Sequence, residues 1–119
     1  MALFRCGSSG GASGSQVDSG TFVTNTSADS GYKVTTGFKP KYIGVQRYVT
    51  TSGSNTFGFV YDADMSETVY ARFGYNSTIQ TQTVGTRSLI SLISVNDDGF
   101  TVYTNSSRST DTYSYFAGC

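Results

Sequence analysis

The sequence predicts an all-β domain: an antiparallel, jelly-roll-like β-sandwich of about eight short strands, preceded by an extended Gly/Ser-rich N-terminal arm. Three observations predict it. The large residues are strand formers, since the 119-residue chain holds 9 Tyr, 8 Phe and 10 Val but only 3 Leu, and aromatic and β-branched side chains suit a pleated, half-buried surface. Several segments alternate apolar and polar residues with period two, and none shows a helical period. Clusters of Gly, Asn, Asp and Ser interrupt the chain about every 8–12 residues, the spacing of sandwich or barrel turns.

Residues 1–19 are read as the arm and residues 20–119 as the sandwich. Segment 7–15 contains only Gly, Ser and Ala. It has too little to bury to offset its own ordering, which costs about 1–2 kcal/mol per residue, so it is expected to dock on a neighbouring subunit or a larger particle, the alternative being an arm lying on its own domain. A first short strand is expected at 21–24, then a loop at 25–31. Residues 32–36 alternate, with Tyr32 and Val34 on one face. Gly37 and Pro40 bracket a bend into the clearest strand, where Ile43, Val45, Arg47 and Val49 share one face and Tyr42, Gly44, Gln46 and Tyr48 the other.

A hairpin loop is expected at 51–55, and Phe57, Phe59 and Tyr61 then alternate with Gly58 and Val60. Residues 62–64 turn the chain. Val69, Ala71 and Phe73 continue the alternation opposite Tyr70 and Arg72. The polar stretch 76–85 reads as a weak edge strand or a long loop. Residues 89–95 form the most aliphatic run and are expected to be a central strand. Asp97-Asp98-Gly99 has the chemistry of a tight hairpin turn that permits positive φ, and Phe100 and Val102 begin the return. After a loop at 105–111, Tyr113, Tyr115 and Ala117 mark the last strand.

Charge excludes several classes of partner. Eight Lys plus Arg balance eight Asp plus Glu, and charged residues make up 13% of the chain, about half the usual share. Such a chain has no electrostatic footprint for nucleic acid or an anionic membrane, and no apolar run is long enough to cross a bilayer. The first six residues lack the apolar stretch of a secretory signal, so assembly in a cytoplasm is the expectation. Cys6 and Cys119 sit at opposite ends of the chain. They are expected as free thiols in a reducing compartment, the alternative being a staple that closes a long loop.

The chain has no His, which removes the commonest general base, proton shuttle and metal ligand. Ser and Thr hydroxyls are abundant but lack that activating base. The terminal cysteines are poorly placed as nucleophiles. Gly7 to Gly14 is not followed by the Lys-Ser/Thr of a phosphate loop. A glycosidase pair is disfavoured because Glu67 is the one glutamate. Asp62, Asp64 and Glu67 place three carboxylates in six residues, as a calcium loop would. The glycine and distal glutamate of such a loop are missing, however, so a turn whose Asp side chains bond their own backbone is expected. No catalytic, cofactor-binding or metal-binding residue is assigned, and no enzymatic activity is expected. Asn25, Asn76 and Asn105 head glycosylation-type triplets and are read as loop residues. Tyr32, Tyr42, Tyr48, Tyr70, Tyr75 and Tyr103, with nearby Asn, Gln and Thr, offer either sugar or protein recognition or core and cross-strand packing.

Two stretches carry a resemblance. Gly37-Phe38-Lys39-Pro40-Lys41-Tyr42-Ile43-Gly44-Val45 resembles the Gly-Phe-x-Pro-Lys-x-hydrophobic approach to a strand in small structural proteins of bacteriophages. Asp97-Asp98-Gly99-Phe100-Thr101-Val102, followed by Tyr113-Ser114-Tyr115-Phe116-Ala117-Gly118, resembles their closing hairpin. The resemblance implies a non-enzymatic virion component, a tail fibre or tail tip module or a head decoration protein. It would be assembled in the host cytoplasm against other virion proteins and carried on the particle. The layout is also similar to H-type lectins, sandwiches that form trimers or hexamers and bind sugars. Tyr115 stands near the position where those carry a Trp, so no sugar-contacting residue is transferred. A homo-oligomer and contact with a host surface glycan are implied expectations, and a carbohydrate-binding module is the alternative reading.

Overall fold

The computed structural model describes residues 16–48, 57–74 and 79–119. Most of the expected arm, the 51–55 hairpin loop, Val49, Tyr75 and Asn76 lie outside the described residues. Nine strands form among those described: β1 (Val17–Phe22), β2 (Tyr32–Thr35), β3 (Tyr42–Arg47), β4 (Gly58–Asp62), β5 (Val69–Phe73), β6 (Ile79–Thr83), β7 (Ile90–Asn96), β8 (Gly99–Thr104) and β9 (Tyr113–Gly118). They build a six-stranded sheet in the order β1-β9-β3-β4-β5-β6 and a three-stranded sheet in the order β2-β8-β7, with every pairing antiparallel. The fold is an all-β sandwich.

Alternation decides what each strand buries. Ile43 and Val45 of β3, Phe59 and Tyr61 of β4, Phe100 and Val102 of β8, and Tyr113 and Ala117 of β9 all turn into one core. Rings fill much of it. Phe22 stacks on Tyr32 and on Tyr113 with centroids 5.6 Å apart in each pair, and Phe59 meets Tyr70 edge-on at 5.2 Å. Burying each such side chain contributes about 1.5–3 kcal/mol, and each well-oriented ring pair adds about 0.5–1.5 kcal/mol.

Three expectations about strands and turns need correction. The first strand covers Val17–Phe22 rather than 21–24, so residues 17–19 belong to the sheet. Its partner explains this: β9 presents an edge that takes Asp18 opposite Ala117 and Gly20 opposite Tyr115, although β1 itself buries only Phe22. Thr24 leaves the sheet, and its hydroxyl shares a buried 2.5 Å hydrogen bond with the hydroxyl of Thr104.

The aliphatic run, second, is an edge strand and not a central one; β8 holds the centre of the smaller sheet. The edge of β7 is buried by side chain and loop rather than by another strand. The Leu92 N–H donates to the Tyr70 hydroxyl at 3.0 Å, and the Leu92 carbonyl accepts from Gly85 N–H at 2.9 Å. A register shift between Leu92 and Ser94 leaves Ile93 as a bulge.

The third correction concerns the Asp97-Asp98-Gly99 turn. Asn96 pairs with Gly99, yet the positive-φ residues among those described are Asn25, Gly31, Gly37 and Gly85. The glycine meets a different demand. A Cβ at Gly99 would collide with the Val34 carbonyl oxygen of β2, whose carbon would lie 3.0 Å away. The Asp98 carbonyl accepts from Thr36 N–H at 2.8 Å and Gly37 N–H at 3.1 Å, so the hairpin tip is fastened to the end of β2.

At the chain's end, Cys119 N–H donates to the Gln16 carbonyl at 3.1 Å. Cys119 is disulfide-bonded, which replaces the free thiol expected there. Cys6, the chain's other cysteine, lies outside the described residues. Pairing of β1 with β9 brings residue 16 beside residue 119.

Gly99→Ala should destabilise the fold by about 2–3 kcal/mol through overpacking against β2. Gly44→Ala, whose Cβ would meet Phe116 at an ordinary 3.9 Å, should stay within about 0.5 kcal/mol. Urea unfolding of the two variants checks the contrast.

Candidate functional site: the outer face of the larger sheet

Residues directly opposite in an antiparallel ladder point to the same side, so the register assembles the outer face of the six-stranded sheet row by row. One row runs Ser19, Phe116, Gly44, Val60, Ala71, Thr81, and the next runs Thr21, Ser114, Gln46, Gly58, Phe73, Ile79. Neither row contains a charge. Phe116 is 49% exposed, Val60 51% and Ile79 72%, and Val17, opposite Gly118 in a third row, is 68% exposed. The solvated face of an antiparallel sheet is ordinarily polar; here Phe116, Val60, Ile79 and Val17 meet water on it.

Local packing around glycines shapes this face. The Tyr42 ring occupies the space where a side chain at Gly118 would stand and lies 5.5 Å from the Phe116 ring. Gly58 is required because a Cβ there would strike the Val45 carbonyl oxygen. Gly44 leaves room beside Phe116. Alternation along β3 and β4 hinted at two-sided apolar strands, but only the register reveals that the outward residues line up.

Among the described residues, the tyrosines singled out for recognition do not gather in one place. Tyr70 is buried and accepts hydrogen bonds from Leu92 N–H and, at 2.7 Å, from the Gln82 amide. Tyr32 stacks on Phe22 at the core boundary. Tyr42 belongs to the outer face, Tyr48 is exposed, and Tyr103 lies on the side of β8 away from Phe100 and Val102. In the acidic loop, the Asp62 carboxylate accepts Asp64 N–H at 2.9 Å, and Lys41 pairs with Asp64 at 3.3 Å. Among the described residues no group of three His, Cys, Asp or Glu side chains is close enough to hold a metal ion, and no helix is long and apolar enough to cross a membrane. Asn25 adopts φ 53° and donates its N–H to the Ser109 carbonyl at 2.9 Å. The Asn105 side chain accepts from Ser107 at 2.9 Å.

Two electrostatic features escaped sequence reasoning. Arg47 and Arg108 both approach Asp111 Oδ2, at 3.3 and 3.6 Å, and both guanidinium carbons sit over the Phe57 ring, 5.6 and 5.2 Å from its centroid. The cluster ties the 105–111 loop to β3 at one end of the sandwich, and the Tyr113 hydroxyl reinforces it by donating to the Arg108 carbonyl at 2.9 Å. The signal available was Arg47 on the same strand face as Ile43 and Val45, since a charge turned that way needs a partner.

The second feature is the Tyr115 hydroxyl, which donates to Asp18 at 2.6 Å. Burial, followed by the hydrogen bond and charge of Asp18, pushes its pKa up to about 12. Burial also raises Tyr61, aided by Glu67 and Asp62, and it raises Tyr70 against opposing hydrogen bonds.

No protein-family model, curated protein or solved structure matches the chain.

Asp111→Ala should cost about 2 kcal/mol, because it leaves two guanidinium groups facing each other without the shared carboxylate; denaturant melts measure it. A tyrosine in the unfolded chain ionises near pH 10, whereas Tyr115 in the folded protein holds its proton to about pH 12. The stabilisation is therefore complete below pH 10 and is lost as pH rises from about 10 to 12. Urea melts across this window, followed together with phenolate absorbance, should show that decline, and Tyr115→Phe should make it shallower.

Proposed function

We propose that this chain is a non-enzymatic structural protein of a bacteriophage virion. It is carried on the particle surface as a tail fibre or tail tip module or a capsid decoration, and it serves assembly and host attachment. The observation that carries this reading is the pair of uncharged rows on the outer face of the six-stranded sheet, in which Phe116, Val60 and Ile79 are between 49% and 72% exposed. A freely diffusing monomer gains nothing from such a surface, whereas a subunit buries it against its neighbours. The resemblance of the 37–45 approach and of the 97–102 and 113–118 closing hairpin to small phage structural proteins supports the same reading. So does the work assigned to the carboxylates: Asp62 bonds its own turn, Asp64 pairs with Lys41, Asp111 joins two arginines, and Asp18 accepts from Tyr115. The partners are then other virion proteins and further copies of the chain, with no role for nucleic acid or membrane insertion. The glycan-binding alternative rests on the Tyr42–Phe116 pair, since the other described tyrosines are dispersed.

Mass spectrometry of purified virions tests the reading directly. The protein should be present, in hundreds of copies for a decoration or a handful for a tail tip, counted against the major capsid subunit. Its absence from purified particles would overturn the proposal. Val60→Lys, a change at a half-exposed position, should leave unfolding within about 0.5 kcal/mol while sharply reducing incorporation.

A further inference from the structure

A sheet with exposed edges invites further strands, and proteins guard those edges with charges, bulges, short strands or covering segments. Three of the four outermost strands here carry such a guard. On β1, Asp18 is a charge on the core-facing side, bonded to Tyr115. β2 has four residues, one of them Lys33. β7 carries the Ile93 bulge, and the backbone groups of Leu92 are taken by Tyr70 and Gly85. β6 reads Ile-Gln-Thr-Gln-Thr, with no charge, proline, glycine or bulge, and no described residue covers its far side.

We infer that β6 pairs antiparallel with the β6 of a second copy of this chain, about a two-fold axis at Thr81. The inference deepens the assembly reading and rests on it only in requiring that subunit meets subunit. The ladder fixes which backbone groups are on offer. Val84 N–H donates to the Thr68 carbonyl at 2.8 Å, so by alternation Gln82 and Gln80 spend their backbone groups on β5, and Thr81 and Ile79 turn theirs outward. The Thr83 carbonyl accepts from Thr86 N–H at 3.1 Å, which ends the open stretch.

The sequence of the strand suits a copy of itself. Gln80-Thr81-Gln82 reads the same in both directions, so antiparallel pairing on Thr81 sets Thr against Thr and Gln against Gln with no like charges opposed. A strongly charged partner strand would find no counter-charge along β6. Because such an axis stands perpendicular to the sheet, the outer faces of both copies stay on one side. The row from Phe116 through Gly44, Val60 and Ala71 to Thr81 then continues into the second copy, doubling the uncharged surface.

Light scattering on the full chain over a broad concentration range should show a monomer–dimer equilibrium. Thr81→Pro removes an outward N–H at a position where an edge strand tolerates proline, and it should weaken the dimer by at least about tenfold in Kd. Thr81→Cys under mild oxidation should give a covalent dimer, with mass mapping placing the bridge between the two substituted positions. A wild-type chain that stays monomeric throughout would overturn the edge pairing while leaving virion incorporation to be judged on its own measurement. A dimer indifferent to Thr81→Pro would overturn it as well and move the contact elsewhere. Should the proline variant fail to fold, the cross-link decides, and its absence overturns the inference.

Discussion

Strands in a sheet lie about 4.8 Å apart, so six of them span roughly 24 Å and three only about 10 Å. The small sheet β2-β8-β7 therefore covers less than half of the large one, and the exterior of the molecule is shaped by that shortfall. Tyr70 stands at the border, where its hydroxyl accepts from Leu92 of the opposite layer. Beyond it, on the uncovered part of the inner side, β5 and β6 carry polar side chains, with Arg72 bonded to Gln80 at 3.3 Å. Among the described residues no second layer lies over the outer face, and its two middle rows are uncharged. The two exposed regions of one sheet thus differ in chemistry, one carrying long polar side chains and the other the exposed Phe116, Val60 and Ile79.

Charges in this chain are few and mostly structural. Arg47, Arg108 and Asp111 close one end of the sandwich around Phe57. Lys41 and Asp64 pair beside the β4–β5 turn. Arg87 reaches the Asp29 carbonyl at 3.0 Å, linking the β6–β7 connection to the β1–β2 connection. The Lys41–Asp64 and Arg87–Asp29 pairs are exposed and contribute little energy individually. Their value lies in placement: they sit at the ends of the sandwich and leave the middle rows of the outer face neutral.

Much of the fold was legible in period-two alternation, because β3, β4, β5, β8 and β9 each have one face in a shared core. What was not legible depended on partners. β1 has no hydrophobic pattern of its own and exists because β9 has an edge to fill. β7 looks like an interior strand because Tyr70 and Gly85 bury its edge as a neighbouring strand would. Gly99 looked like a turn requirement and is instead a close-approach requirement imposed by Val34. The outer face had the same difficulty. Phe116, Val60 and Ile79 lie far apart in the chain, and only pairing across β9, β3, β4, β5 and β6 puts them on one surface. The resemblance of two short segments pointed to a class of protein but not to this face.

The guarding of β1, β2 and β7 limits how far strand addition can run. A building block with two bare margins can be extended without end, which is how threads and insoluble deposits grow. One with a single bare margin is finished after one joining, since each copy uses up the other's only opening. Among the described residues, the bulge at Ile93, the lysine on β2 and the inward aspartate on β1 thus stand as terminators against strand addition, and β6 is the margin that carries none of these devices.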